Sequence, residues 1–160
     1  KNADIRSQLR DPDNLDFRPK ENSDLVDKGA LIEGKEIPYL GKAPDIGAYE
    51  FGDLNYWIPG FQDKIASTPV PPTESKTVKT DADLMWLTAY KAYSSDIYFG
   101  GDFDTVKNAS KNSPEFKGRQ KNNIYSPGKL NAGKTYYWRI DEITKNGTQK
   151  GNVWSFTVNY

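Results

Sequence analysis

Residues 66–160 of this 160-residue chain predict an antiparallel β-sandwich, which makes the fold class all-β. Three observations carry that expectation. Short segments of alternating apolar and polar side chains follow one another, separated by turn residues. No segment keeps the 3.6-residue apolar period of an amphipathic helix, apart from one turn at DTVKNAS, residues 104–110. Aromatic residues reach 13% in a chain that is otherwise very polar, which suits a small β-protein with few but large core residues.

The elements follow in order. At ASTPVPPTESKT, residues 66–77, three prolines with Ser and Thr mark an extended connector or the entry to a first strand. The chain is divided there, into residues 1–65 and residues 66–160. In ADLMWL, Leu84 and Trp86 share one strand face, because successive side chains alternate. In SSDIYFGG, Ile97 and Phe99 take one face and Asp96 and Tyr98 the other. A long polar stretch leads to NNIYSPGKL, then to KTYYWRIDEI and finally to NVWSFTVNY, where Trp154, Phe156 and Val158 alternate with Val153, Ser155 and Thr157. In the KTYYWRIDEI strand, Tyr136, Trp138 and Ile140 fall to the core and Tyr137, Arg139 and Asp141 to the outside.

The run LNAGKTYYWRI resembles the tyrosine corner of fibronectin type III domains, with Leu130 six residues before Tyr136 and a Gly-containing turn between them. Trp86 stands where that fold carries a core tryptophan. The resemblance spans roughly residues 67–159 and implies a fibronectin type III-like sandwich; it implies no function, since this architecture hosts many roles. The first part of the chain looks different. LDFRPKENSDLVDKG followed by APDIGAYEFG resembles the closing coil of right-handed parallel β-helix proteins, a group rich in secreted polysaccharide lyases and glycoside hydrolases. Ser23, Val26, Asp27 and Gly29 fit the first element, from which Asp24 and Leu25 depart, and Asp45 to Glu50 fit the second. NYWIPGFQ and YYWRIDE…GNVWSF also look like the tail behind such catalytic domains in polysaccharide-degrading bacteria. This resemblance implies a parent catalytic domain upstream and a secreted or cell-surface location. It also implies a loop-rich remnant over residues 1–65, expected to lean on the sandwich through Trp57, Ile58, Pro59 and Phe61.

Composition removes several function classes. Without cysteine there are no disulfides, zinc-thiolate sites or cysteine nucleophiles. Without histidine the commonest general base and most transition-metal sites go as well. A net charge of zero argues against nucleic acid as a partner, and no apolar run is long enough to span a membrane. The neutrality hides an asymmetry: residues 105–134 carry seven cations against Glu115 alone, a net +6, so the rest of the chain is −6. Such a basic loop region attracts anionic polymers, or serves simply as a solvated face.

The outward set of the YYWRIDE strand, with Tyr98 and Asp96 expected on a neighbouring strand, has the make-up of a sugar platform. Aromatic faces stack on pyranose C–H groups while Arg and Asp bond hydroxyls or acidic substituents. The alternative is that the N-terminal segment covers this face. The candidate ligand-binding set is Tyr98, Tyr137, Arg139, Lys117, Arg119, Lys121 and Trp57. Asp11, Asp13 and Asp16, and separately Asp102 and Asp104, are candidates for structural calcium, although neither stretch forms an EF-hand loop and turn capping accounts for both; no other cofactor is expected. Asp141 and Glu142 are neighbours on a strand and point opposite ways, so they cannot flank a glycosidic bond as a catalytic pair. The expectation is a monomeric, noncatalytic carbohydrate-binding module of a secreted polysaccharide-degrading enzyme. Its ligand would be an acidic polysaccharide of algal or glycosaminoglycan type. The alternatives are a structural spacer without ligand and an inactive fragment of a polysaccharide lyase.

Overall fold

The computed structural model describes residues 4–34 and 36–159. The chain separates into two compact units, residues 1–54 and 55–160.

The first unit is mostly loop. A short helix, α1 (Ile5–Gln8), runs into strand β1 (Leu9–Asp11); a 3-10 turn over Pro12–Asn14 then reverses the chain into β2 (Asp16–Pro19), antiparallel to β1. Leu25 is the one large apolar side chain buried among its described residues. Carboxylates do the work that a core does elsewhere, by closing loops onto backbone N–H groups. Asp27 accepts from the amides of Lys42 and Ala43, and those bonds hold its carboxyl below the usual range. Asp45 accepts from Asp27 N at 2.8 Å and Phe51 N at 2.6 Å, while Glu50 accepts from Asp45 N and Leu40 N. Gly29 N donates to Pro44 O, and a Cβ on Gly29 would sit 2.7 Å from that oxygen. The SDLVDKG and PDIGAYE elements are therefore one interlocked loop pair, which explains the spacing of Asp27, Gly29, Asp45 and Glu50.

The second unit is the expected antiparallel sandwich. Its strands are β3 (Ser67–Val70), β4 (Ser75–Val78), β5 (Leu84–Leu87), β6 (Ser94–Gly100), β7 (Phe116–Gln120), β8 (Ile124–Tyr125), β9 (Thr135–Thr144), β10 (Gly147–Gln149) and β11 (Val153–Val158). One helix, α2 (Phe103–Asn108), lies between β6 and β7. One sheet has the order β3-β5-β8; the other runs β4-β11-β9-β6-β7, with β10 added along the end of β9. Strand β4 joins its sheet parallel to β11, and the other pairings are antiparallel. Between β10 and β11 the chain passes so close to β9 that a Cβ on Gly151 would collide with Ile140 O. Only glycine fits there.

The core follows the alternation read from the sequence. Leu84, Trp86, Ile97, Trp138, Ile140, Trp154, Phe156 and Val158 are buried together, with Phe99, Tyr125 and Tyr136 packed on them. Trp138 lies edge-on to both Trp86 and Trp154. The tyrosine corner is present: the Tyr136 hydroxyl accepts from Asn131 N at 3.0 Å and its ring stacks on Phe99.

The segment before β3 belongs to this unit, so the compact body starts ahead of the break expected at residue 66. Asn123 donates to Tyr56 O and Trp86 O and accepts from Tyr56 N. Of the residues expected to dock this segment, Ile58 is buried alongside Tyr56, whereas Trp57, Pro59 and Phe61 stay exposed. An extended segment presents alternate side chains to alternate sides.

Candidate functional site

The sequence placed a sugar platform on the outer face of β6 and β9. Register confirms the grouping: Tyr98 is paired with Arg139 and Asp96 with Asp141. Exposure does not follow. Tyr98 and Arg139 are only 4% and 1% exposed, and Asp96 and Asp141 are buried with them.

The loop between β6 and β7 covers this face. Asp102 accepts from Thr105 N at 2.8 Å and starts α2, whose Val106, with Ala109 just beyond it, packs on Tyr98, Phe116, Tyr137 and Val153. Phe103 meets Tyr137 edge-on, leaving Tyr137 half-buried. Arg139 is the centre of the closure. Its guanidinium donates to the carbonyls of Val106, Lys107 and Ala109 at the end of α2, binds Asp141 through two nitrogens at 2.8 and 3.1 Å, and lies 4.1 Å from the Tyr98 ring centre. A helix end leaves carbonyls without partners, and a planar five-donor cation satisfies several at once. Tyr98, Tyr137 and Arg139 therefore hold a second, smaller core, and the expectation that they form an open platform is corrected.

The basic stretch is partly neutralised in the same way. Arg119 clamps Asp96 at 2.7 and 2.8 Å and Lys111 lies 3.4 Å from it. Burial by itself would raise Asp96, but the Arg119 hydrogen bonds and charge, with Lys111, bring its carboxyl below the usual value. Lys117 donates to Pro114 O and Lys107 sits over Phe103; Lys121 is exposed at the end of β7. The calcium candidates have other partners. Asp11 accepts from Asn14, Asp13 pairs with Arg6, Asp16 is bound by Arg18, and Asp102 caps α2, with Asp104 in the first turn of that helix. Among the described residues no three acidic side chains gather where a metal ion would sit.

The sequence reading missed a groove of about 780 Å³ at the end of the sandwich where β9 finishes. Lys64, Tyr90, Lys91, Tyr93, Thr144, Lys145, Asn146 and Gln149 line it. Tyr90 and Tyr93 are 59% and 57% exposed, whereas the rings on the strands of this unit are buried or half-buried. Its walls are fastened to one another by backbone bonds. Tyr90 N donates to Asp63 O at 2.8 Å, tying the tyrosine loop to the Lys64 segment. Tyr93 N donates to Ile143 O at 3.0 Å, tying the loop to the end of β9. Ala92 N closes a turn onto Ala89 O, and within that turn Lys91 holds φ +60°, a left-handed conformation uncommon for a side chain of its size. Such conformations persist where the surroundings fix them and cluster at binding sites.

Beneath the loop lies Glu142, fully buried. It accepts from Ala89 N at 3.2 Å and from the Ser95 hydroxyl at 2.8 Å, so one carboxylate holds both ends of the segment that carries Tyr90 and Tyr93. Burial pushes its pKa up, against the pull of those bonds. The Trp86 indole N–H, buried without a hydrogen-bond partner of its own, adds a weaker pull on the same group.

The class this geometry defines is an all-β, fibronectin type III-like sandwich with a groove at one end. No protein-family model and no curated protein matches the chain. Among solved structures, it is similar to the solution structure of the fibronectin type-III domain of human fibronectin type III domain containing protein 3. The TM-score is 0.41 at 15% identity, over 64% of this chain and 91% of that one.

Proposed function

We propose that this chain is a noncatalytic carbohydrate-binding module, carried by a secreted polysaccharide-degrading enzyme and bound to polysaccharide through the groove between Tyr90 and Tyr93. The observation that carries the reading is the pair of exposed tyrosines on a loop fastened at Asp63, Glu142 and Ile143. Tyrosine rings present large, rigid faces to sugar C–H groups, and a fixed frame reduces the ordering cost of binding. Thr144, Asn146 and Gln149 add hydroxyl and amide groups suited to sugar hydroxyls.

The noncatalytic part is supported by where the carboxylates go. Asp141 is bonded to Arg139, Asp96 to Arg119, and Glu142 is sealed under the loop; none of the three lines the groove. The β-helix reading of the first unit rests on the SDLVDKG and PDIGAYE elements. It is supported by the exposure of Leu31, Ile32, Ile37, Leu40 and Leu54, since a closing coil covers apolar residues against the coil before it. Tethering such an enzyme to its polymer would raise the effective concentration of its catalytic site.

Affinity electrophoresis through gels containing neutral, carboxylated or sulfated polysaccharides tests the reading. Retardation in at least one gel, lost in Tyr90→Ala/Tyr93→Ala, is the expected result. Free migration in every gel would favour a spacer instead.

A further inference from the structure

The groove has a charge as well as a shape, and building on the sugar-binding reading above we infer that its ligand is a polyanionic glycan, held by Lys64, Lys91 and Lys145. These lysines come from three separate segments: the stretch before β3, the turn between β5 and β6, and the hairpin between β9 and β10. The backbone bonds at Asp63 and Ile143 bring the three segments to one groove. Among the described residues no acidic side chain lines it. Of the acids nearest in the chain, Glu142 faces inward to Ala89 and Ser95, and Asp63, at the groove's edge, accepts from the Lys64 amide at 2.6 Å and offsets one of the three cations. Three lysines against that one bordering carboxylate leave a net positive site in a chain whose net charge is zero. That field favours an anionic partner.

The groove holds both kinds of group that such a polymer needs. Lysine ammonium groups act as point charges for carboxylate or sulfate, and the tyrosine rings take the sugar faces between them. In the free protein the Lys91 ammonium sits 4.9 Å from the centre of the Tyr90 ring. A cation over an exposed ring is only weakly held there. An arriving acidic group therefore draws Lys91 off the ring and bares the face on which the sugar stacks. This places charge recognition and stacking on adjacent residues of one turn.

The test compares matched polymers with and without charge: polygalacturonate against its methyl ester, and dextran sulfate against dextran. The intact chain is run by affinity electrophoresis in each gel, alongside two variants of equal charge change. One is Lys64→Gln/Lys91→Gln/Lys145→Gln. The other, Lys117→Gln/Lys129→Gln/Lys134→Gln, removes lysines outside the groove. The inference expects stronger retardation by a charged polymer than by its uncharged partner. It expects salt to weaken that retardation, and the groove variant to lose affinity about two- to fivefold per lysine, as exposed ion pairs do. Whichever charged polymer retards the chain more tells carboxylate from sulfate recognition. Three results overturn the inference: retardation independent of charge, an unchanged groove variant, or a loss confined to the variant outside the groove. If the uncharged polymers bind equally well and Tyr90→Ala/Tyr93→Ala still abolishes retardation, the anionic ligand falls and the sugar-binding reading stands. If no gel retards the chain, both fall.

Discussion

Two tyrosine pairs sit on neighbouring parts of one sheet system and have opposite fates. Tyr98 and Tyr137 lie on the outer face of β6 and β9, beside Arg139, and are closed over by α2. Tyr90 and Tyr93 lie in the turn ahead of β6, beside Lys91, and remain open. Residue types alone do not separate the pairs, since each has two tyrosines and a cation. What separates them is the anchor beneath. Arg139 faces the carbonyls of Val106, Lys107 and Ala109 and a buried carboxylate, and bonding them holds a helix down onto the face. Under the other pair, Glu142 bonds the backbone of the tyrosine loop itself and leaves its side chains outside.

The largest effect expected from this contrast is at Arg139. Arg139→Met strands Asp141 without its cation and removes the guanidinium donors from the carbonyls of Val106, Lys107 and Ala109, which should cost roughly 3–5 kcal/mol in urea unfolding. A loss below about 1 kcal/mol would mean that the helix does not close the face. Next in size are the open tyrosines, where the cost should appear in binding. Tyr90→Ala and Tyr93→Ala should each weaken retardation by polysaccharide about two- to tenfold, the worth of an aromatic contact, and shift stability by less than about 0.5 kcal/mol. If either variant unfolds at markedly lower urea, the pair is structural after all and the contrast collapses.

The different fates also show what the sequence can convey. Period-2 alternation identified the core set Trp86, Ile97, Trp138, Ile140, Trp154 and Phe156, because a sheet buried on one face forces that pattern. The Leu130 to Tyr136 spacing identified the corner for a similar local reason. Alternation also grouped Tyr98, Tyr137, Arg139, Asp96 and Asp141 correctly. It could not say what covers them, since the cover is a loop excursion whose contacts are non-local. A trace of it was readable: Phe103, Val106 and Ala109 recur every three residues behind Asp102, an N-cap residue. The groove was harder, because its lysines lie in three distant segments. Only Tyr90 and Tyr93 around Lys91, in a turn too short to bury them, gave any local sign. Glu142 gave none, for an acid at an inward position of an apolar strand is legible only once Ala89 and Ser95 are known to meet it.

The cover over the first pair can be loosened at its start. Asp102→Ala removes the oxygen that accepts from Thr105 N and should destabilise the chain by about 1 kcal/mol, the usual worth of an N-cap. Retardation by polysaccharide should stay within about twofold, because α2 lies on the closed face and not in the groove. A variant that binds sugar more tightly as α2 loosens would revive the covered tyrosines as a site.

The subtlest signal is a slope, to which Glu142 and Asp96 contribute with opposite signs. Burial raises Glu142 above its ordinary value of 4.5, so the folded chain holds that proton more tightly than the unfolded chain. Its contribution to stability is complete below pH 4.5 and is lost as pH rises through the folded-state value. Asp96 runs the other way. Lowered by Arg119 and Lys111, it contributes above about its ordinary 3.8 and loses that contribution as pH falls through its depressed value. Glu142→Gln keeps an acceptor for Ala89 N and a partner for the Ser95 hydroxyl but cannot ionise. Urea midpoints measured from pH 4 upward should therefore fall less steeply in the variant than in the parent chain. Parallel curves would show that Glu142 titrates alike in the folded and unfolded chains, and that the anchor beneath the open tyrosines is not sealed from water.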